Sequence, residues 1–226
     1  MSTEGAGPRP LLAGLTALGI GLFVAVLALP RTAAHGVLLP VAQERAPGAL
    51  ADARSRHARA LSLHGDAPLA LALARLDLRA AAEGDGGALA AADRHLRAAA
   101  AHSPNDALIW SELAHTALLR GAPLEETAAF LRLSRLTGRF EASAMLLRVR
   151  TALPLWNGLP EEIRSGVMAD MARLGADPAL RKSLYAPYVS FGFAERAIFL
   201  EHAFETDAQR SRFRSQILKH AGERRR

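Results

Sequence analysis

Eight histidines in a chain of 226 residues are the first side chains with chemistry to offer. His57 and His64, and likewise His95 and His102, are spaced to fall near one face of a helix. His202 sits beside Glu201 and shortly before Glu205. A metal site needs at least three converging ligands, and the chain has no HExxH, no paired ExxH and no Asp-rich loop. The histidines therefore read as surface or capping residues, with no metal expected. Gly84-Asp85-Gly86-Gly87 lacks the Lys-Ser/Thr of a phosphate loop and follows no strand, so it reads as a turn between helices. Cysteine is absent, which removes disulfides, Cys-type zinc sites, iron–sulfur clusters and thiol nucleophiles together. No GxSxG elbow is present either. The expectation is a non-enzyme without catalytic residues or cofactor.

Composition indicates what holds these residues in place. Half the chain is hydrophobic but only 5% is aromatic, and alanine is abundant, a balance suited to helices rather than sheets. The formal charge is +6, and all of the 28 basic residues except Lys182 and Lys219 are arginine. They are scattered among carboxylates except near the end, where Arg210, Arg212, Arg214, Lys219, Arg224, Arg225 and Arg226 cluster. That stretch reads as a solvated, frayed tail. Contact with anionic lipid headgroups or nucleic acid is the second reading of this stretch, and no nucleic-acid partner is expected of the chain.

The clearest physical signal is at the front. No charge interrupts residues 10–30, whose text LLAGLTALGIGLFVAVLAL is flanked by Pro10 and Pro30. As a helix rising about 1.5 Å per residue it would match the roughly 30 Å hydrocarbon core of a bilayer. It reads as a single transmembrane anchor after a tail of residues 1–9. The Thr32-Ala33-Ala34 sequence leaves open cleavage after Ala34, although the apolar run is longer than a signal peptide's. Arg9 on one side and Arg31 and Arg45 on the other give little asymmetry. A bacterial inner-membrane location with the large domain periplasmic is the expectation. Ala13, Ala17, Gly21 and Ala25 stack on one face and would permit close helix–helix self-association.

After a linker over residues 31–47, apolar positions recur every three or four residues through 48–222, with a basic tail at 223–226. Turn residues break the pattern at His64-Gly65-Asp66, Gly84–Gly87, Ser103-Pro104-Asn105-Asp106, Gly121-Ala122-Pro123, Thr137-Gly138, Asn157-Gly158 and Gly175-Ala176-Asp177-Pro178. The pattern predicts an all-α fold, an array of antiparallel helical hairpins behind the anchor. Around Pro104 the spacing is specific: Ala92, Leu96 and Ala99 precede it, and Trp110, Leu113 and Ala114 follow. Small residues facing large ones let two helices pack closely. This arrangement resembles the tetratricopeptide repeat. On that alignment one unit spans residues 73–106 and the next 107–140, the latter continuing through Thr127, Leu131 and Ser134. A unit starting near Glu141 scarcely matches. Trp110 is expected in the core.

The resemblance implies a partner groove along Leu108, Ser111, His115, Leu118 and Leu119, with weaker equivalents at Ala74, Asp77, Ala81, Gly84 and Asp85. Residues 90–174, which include the Leu155-Trp156-Asn157-Gly158-Leu159 turn, also resemble single-anchor helical-repeat proteins of proteobacterial exopolysaccharide systems. Together these resemblances imply a scaffold that holds protein partners at the envelope. The alternative is a periplasmic accessory module of another assembly, such as a cytochrome-maturation or cell-wall complex. Trp156 reads as the cover of a helix end, and Tyr185, Tyr188, Phe191, Phe193, Phe199 and Phe204 as core, with a docking patch as the second reading.

Overall fold

The computed structural model describes residues 48–63 and 65–223. The apolar stretch 10–30 with its Ala13, Ala17, Gly21 and Ala25 ladder, the linker 31–47 with Ala34, and residues 224–226 lie outside the described residues. Among the described residues every regular element is helical, and no helix is long and apolar enough to cross a membrane. The major helices are α1 (Ala49–Leu63), α2 (Ala67–Ala82), α3 (Ala88–His102), α4 (Ala107–Leu119), α5 (Leu124–Thr137), α6 (Ala142–Ala152) and α7 (Glu161–Ala176). Beyond them come the short α8 (Pro178–Arg181) and α9 (Tyr185–Ser190), then α10 (Phe193–Ala203) and α11 (Asp207–Glu223). The turn residues anticipated from the sequence fall between or at the ends of helices.

Local chemistry fixes the starts. Asp66 caps α2 by accepting from Leu69 N, and a proline occupies the first turn, where no hydrogen bond is lost. Asp106 caps α4 by accepting from Leu108 N and Ile109 N. The Asp66 cap moves the start of the first predicted unit. Residue 73 lies inside α2, because the Asp66 cap starts the helix earlier than the repeat alignment placed it. Gly84 and Gly121, at φ 102° and 66°, let the chain turn out of α2 and α4 in the left-handed conformation.

Short loops and mutual packing make three antiparallel hairpins, α2/α3, α4/α5 and α6/α7, with α1 laid against α2. Successive hairpins stack, α3 packing on α4, α4 on α6 and, more lightly, α5 on α7, with side chains bridging equivalent helices. Along the first helices, Arg75 Nε donates to Glu112 Oε1 at 3.0 Å, and Thr151 Oγ1 meets His115 Nδ1 at 3.3 Å, across 37 and 36 residues. Along the second helices, Arg97 donates to Glu126 at 2.8 Å and Arg132 to Glu162 at 3.2 Å, across 29 and 30 residues. Within each row the offset is nearly the same from one pair of hairpins to the next, as in a stacked repeat. The third hairpin is present although the sequence from Glu141 scarcely matches the repeat. It closes through the 3-10 turn Leu153–Leu155 and buried Leu159.

The core is built from small and large residues in alternation. Ala92, Leu96, Ala99, Leu113 and Ala114 are fully buried, and Thr127, Leu131 and Ser134 continue the pattern on α5. Gly138 brings the end of α5 onto the start of α4: a Cβ there would lie 2.5 Å from that of Ala107, and Ser134 Oγ donates to Ala107 O at 2.9 Å. Trp110 departs from its predicted central place. It is half-buried, its Nε1–H donating to Pro104 O at 2.7 Å while its ring stacks on Phe130 at 6.2 Å. The hydrogen bond pins the indole over the turn, at the edge of the contact made by Leu96, Ala99 and Leu113.

At the C-terminal end, Tyr188, Phe191, Phe199, Phe204 and Phe213 form one aromatic cluster. Phe193 is the exception, 91% exposed. Up to Glu223, the predicted frayed tail is a helix instead. Phe213 and Ile217, one turn apart on α11, insert into the cluster, and Arg210 donates to Leu200 O and Phe204 O.

Candidate functional site

The face formed by the first helices of the hairpins carries a mixed row of apolar and polar residues. On α4 the stripe runs Leu108, Glu112, His115 and Leu119, the spacing of one helix face. Leu119 is half exposed, and Leu108, His115 and Leu118 are half-buried. Ser111 corrects the expectation. It is fully buried, with its hydroxyl donating back to Leu108 O at 2.9 Å, and Glu112 takes its place on the stripe, itself largely buried with its carboxylate accepting from Arg75. A groove register of three plus four residues selects Ser111; a register of four plus three selects Glu112, and only the packing of α2 and α6 decides between them. The neighbouring helices extend the face. α2 contributes Leu71, Arg75 and Leu78, and α6 contributes Leu147 and exposed Arg150.

Electrostatics on this face are specific. Arg75 is paired with Glu112 across the first gap. His115, in the second gap, has its pKa pushed down to about 4, first by burial and then by the nearby Arg150 charge. Its imidazole is therefore neutral at pH 7, beside the Thr151 hydroxyl. Arg150 has no ion-pair partner among the described residues.

The weaker groove positions do not form a matching open row. Ala74 and Asp77 are buried. Asp77 instead accepts from Arg54 Nε and His95 Nδ1, each at 2.8 Å, which ties α1, α2 and α3 together.

A second buried node joins the second and third hairpins, and nothing in the sequence pattern distinguished it from the other arginines. Arg148 is 1% exposed, and its Nε and Nη2 donate to the two oxygens of Asp170 at 2.7 and 3.2 Å. Its remaining donors reach Ser134 O and Oγ, Gly138 O and Arg139 O, closing the carbonyl end of α5. Arg135 also donates to Asp170 and to Gly166 O. Burial pushes the Asp170 carboxyl upward against the pull of both guanidiniums. An apolar position on α6 would have been the ordinary guess, since arginine is rarely enclosed unless paired.

The histidines are dispersed. His57 is buried on α1 and donates through Nδ1 to Ala53 O, while its Nε2 has no partner among the described residues; His202 lies 5.6 Å from the Trp156 ring. Among the described residues no three His, Asp or Glu side chains are grouped to hold a metal. Comparisons of the chain with protein-family models, with curated proteins and with solved structures each gave no match.

Proposed function

We propose that this chain is a non-enzymatic, tetratricopeptide-like scaffold, anchored in a bacterial inner membrane by residues 10–30. Its first-helix face holds partner proteins, and the resemblance over residues 90–174 favours partners from exopolysaccharide synthesis or export. The observation that carries the reading is the row Arg75, Glu112, His115, Leu119 and Arg150, which crosses three stacked helices and offers apolar contact between charged ends. Such a surface suits a partner's helix or extended segment. Ionisable residues elsewhere in the stack, notably Asp77, Arg148 and Asp170, are engaged in tying helices together.

Affinity capture from detergent-solubilised membranes tests this. The wild-type chain should recover polysaccharide-assembly proteins, and Leu119→Glu with Arg150→Glu should lose them while keeping the wild-type melting temperature, because both residues are exposed. Recovery of the same proteins by the double variant removes the face from the proposal. Carbonate-washed membranes should retain the intact chain; a soluble form beginning at His35 would overturn the anchor.

A further inference from the structure

A different surface, on the second-helix layer, has the makings of a docking site independent of the first-helix face. α5 and α7 run side by side, held by Arg132 against Glu162 and by Arg135 against Gly166 O and Asp170. Between them is a trough floored by Ile163, which is 4% exposed, and walled by Leu136, which is 75% exposed, with Arg132 and Arg139 at its sides. Beyond Leu136 stands Phe140, 62% exposed. The Arg173 and Arg139 guanidiniums lie 4.6 and 5.5 Å from the centre of that one ring.

Two features call for a ligand. Neither Arg139 nor Arg173 has a carboxylate partner among the described residues, although most arginines of the stack do. Two like charges drawn to one ring repel each other, and an anion placed between or beside them relieves that repulsion. The charges of Arg132 and Arg135 are already matched within the fold, by Glu162, which also lines the trough, and by Asp170. The second feature is two large apolar side chains, Leu136 and Phe140, left in water next to this charge. A flat bilayer cannot reach buried Ile163 at the trough's floor, whereas a side chain from a peptide can. A nucleic-acid backbone satisfies the arginines but leaves Leu136 uncovered.

We propose that the trough between α5 and α7, continued by Phe140 and Arg173, docks an acidic segment of a partner protein. A bulky apolar side chain of that segment seats on Leu136 and Ile163, and its carboxylates bridge Arg139 and Arg173.

Fluorescence anisotropy on the full chain in detergent tests the proposal. The probe is a short labelled peptide of glutamates around a central Leu-Phe pair. Comparison peptides carry Gln for Glu or Ala for the Leu-Phe pair, and labelled poly-uridine is the nucleic-acid comparison. Arg139→Gln with Arg173→Gln should weaken binding about tenfold or more, as loss of charge-assisted hydrogen bonds implies. Leu136→Ala with Phe140→Ala should weaken it several-fold, and replacing the peptide's Leu-Phe pair should do the same. Arg212→Gln with Arg214→Gln, on exposed positions of α11, should change nothing. The proposal is overturned if the α11 variant weakens binding equally, or if the Ala peptide binds as well as the probe. It is also overturned if poly-uridine binds more tightly with the same dependence on Arg139 and Arg173, or if the probe does not bind. Melting curves of each variant should overlay the wild type, since the altered side chains are surface groups.

Discussion

His115 and Arg148 show two opposite ways of enclosing an ionisable side chain. Arg148 keeps its charge because Asp170 and several carbonyl oxygens replace the water it gives up. His115 has only a hydroxyl neighbour and a like charge in Arg150, so it gives up its proton instead. The folded-state value of about 4 lies below the ordinary 6.5, so the folded state binds the proton less readily than the unfolded chain. The stability this provides is complete above pH 6.5 and is lost as pH falls through about 4, by up to roughly 3 kcal/mol. Replacing His115 with Gln should flatten the stability profile between those limits, measured by urea unfolding at a series of pH values. An unchanged slope between pH 6.5 and 4 would mean that the ring is solvated in the folded chain.

Helix by helix, the sequence was most legible where one residue type has one job. Turn glycines, prolines and capping aspartates located nearly every break, and the Ala92, Leu96, Ala99, Leu113, Ala114 pattern located a real interhelical contact. Legibility failed where two registers share the same residues. Ser111 and Glu112 both suit a polar groove position, and only contact with Arg75 chooses Glu112. The third hairpin was hidden because its buried face uses Met145, Arg148 and Val149 where the repeat pattern asks for aromatic and small residues. Trp110 was misplaced for a related reason. The pattern records that an aromatic is needed, not that its indole N–H will be tethered to Pro104 O. The two residues should therefore differ in cost. Leu113→Ala, opening a cavity at a fully buried site, should destabilise by about 2–5 kcal/mol. Trp110→Ala, at a half-buried rim, should cost about 1–2 kcal/mol. Thermal and denaturant melts of the two variants give the order directly, and a larger loss for Trp110 would put the indole back at the centre of the contact.

Across the molecule, stability is distributed as in other stacked arrays, as hairpin strengths plus the interfaces between neighbours. The interfaces are not equivalent. The first hairpin meets the second through alanines and leucines, reinforced at the surface by Arg75–Glu112 and by Arg97 and Arg120 around Asp93 and Glu126. The second meets the third through a buried ionic node, in which Arg148 at once neutralises Asp170 and closes the end of α5. Removing Arg148 leaves a buried carboxylate facing only Arg135 and exposes several unpaired carbonyls, a change that typically costs about 3–5 kcal/mol. Because that cost falls on one interface, Arg148→Ala should uncouple the array there rather than weaken it evenly. Hydrogen exchange read by mass spectrometry should show faster exchange in α6 and α7 and in the α10 and α11 segment that leans on α7. Protection in α2 and α3 should stay close to wild type. Arg148→Met with Asp170→Leu removes both charges and fills their space, so it should restore much of the protection in α6 and α7. Uniform acceleration from α1 to α11 would show instead that the chain unfolds as one cooperative unit, with the ionic node no weaker a seam than any other.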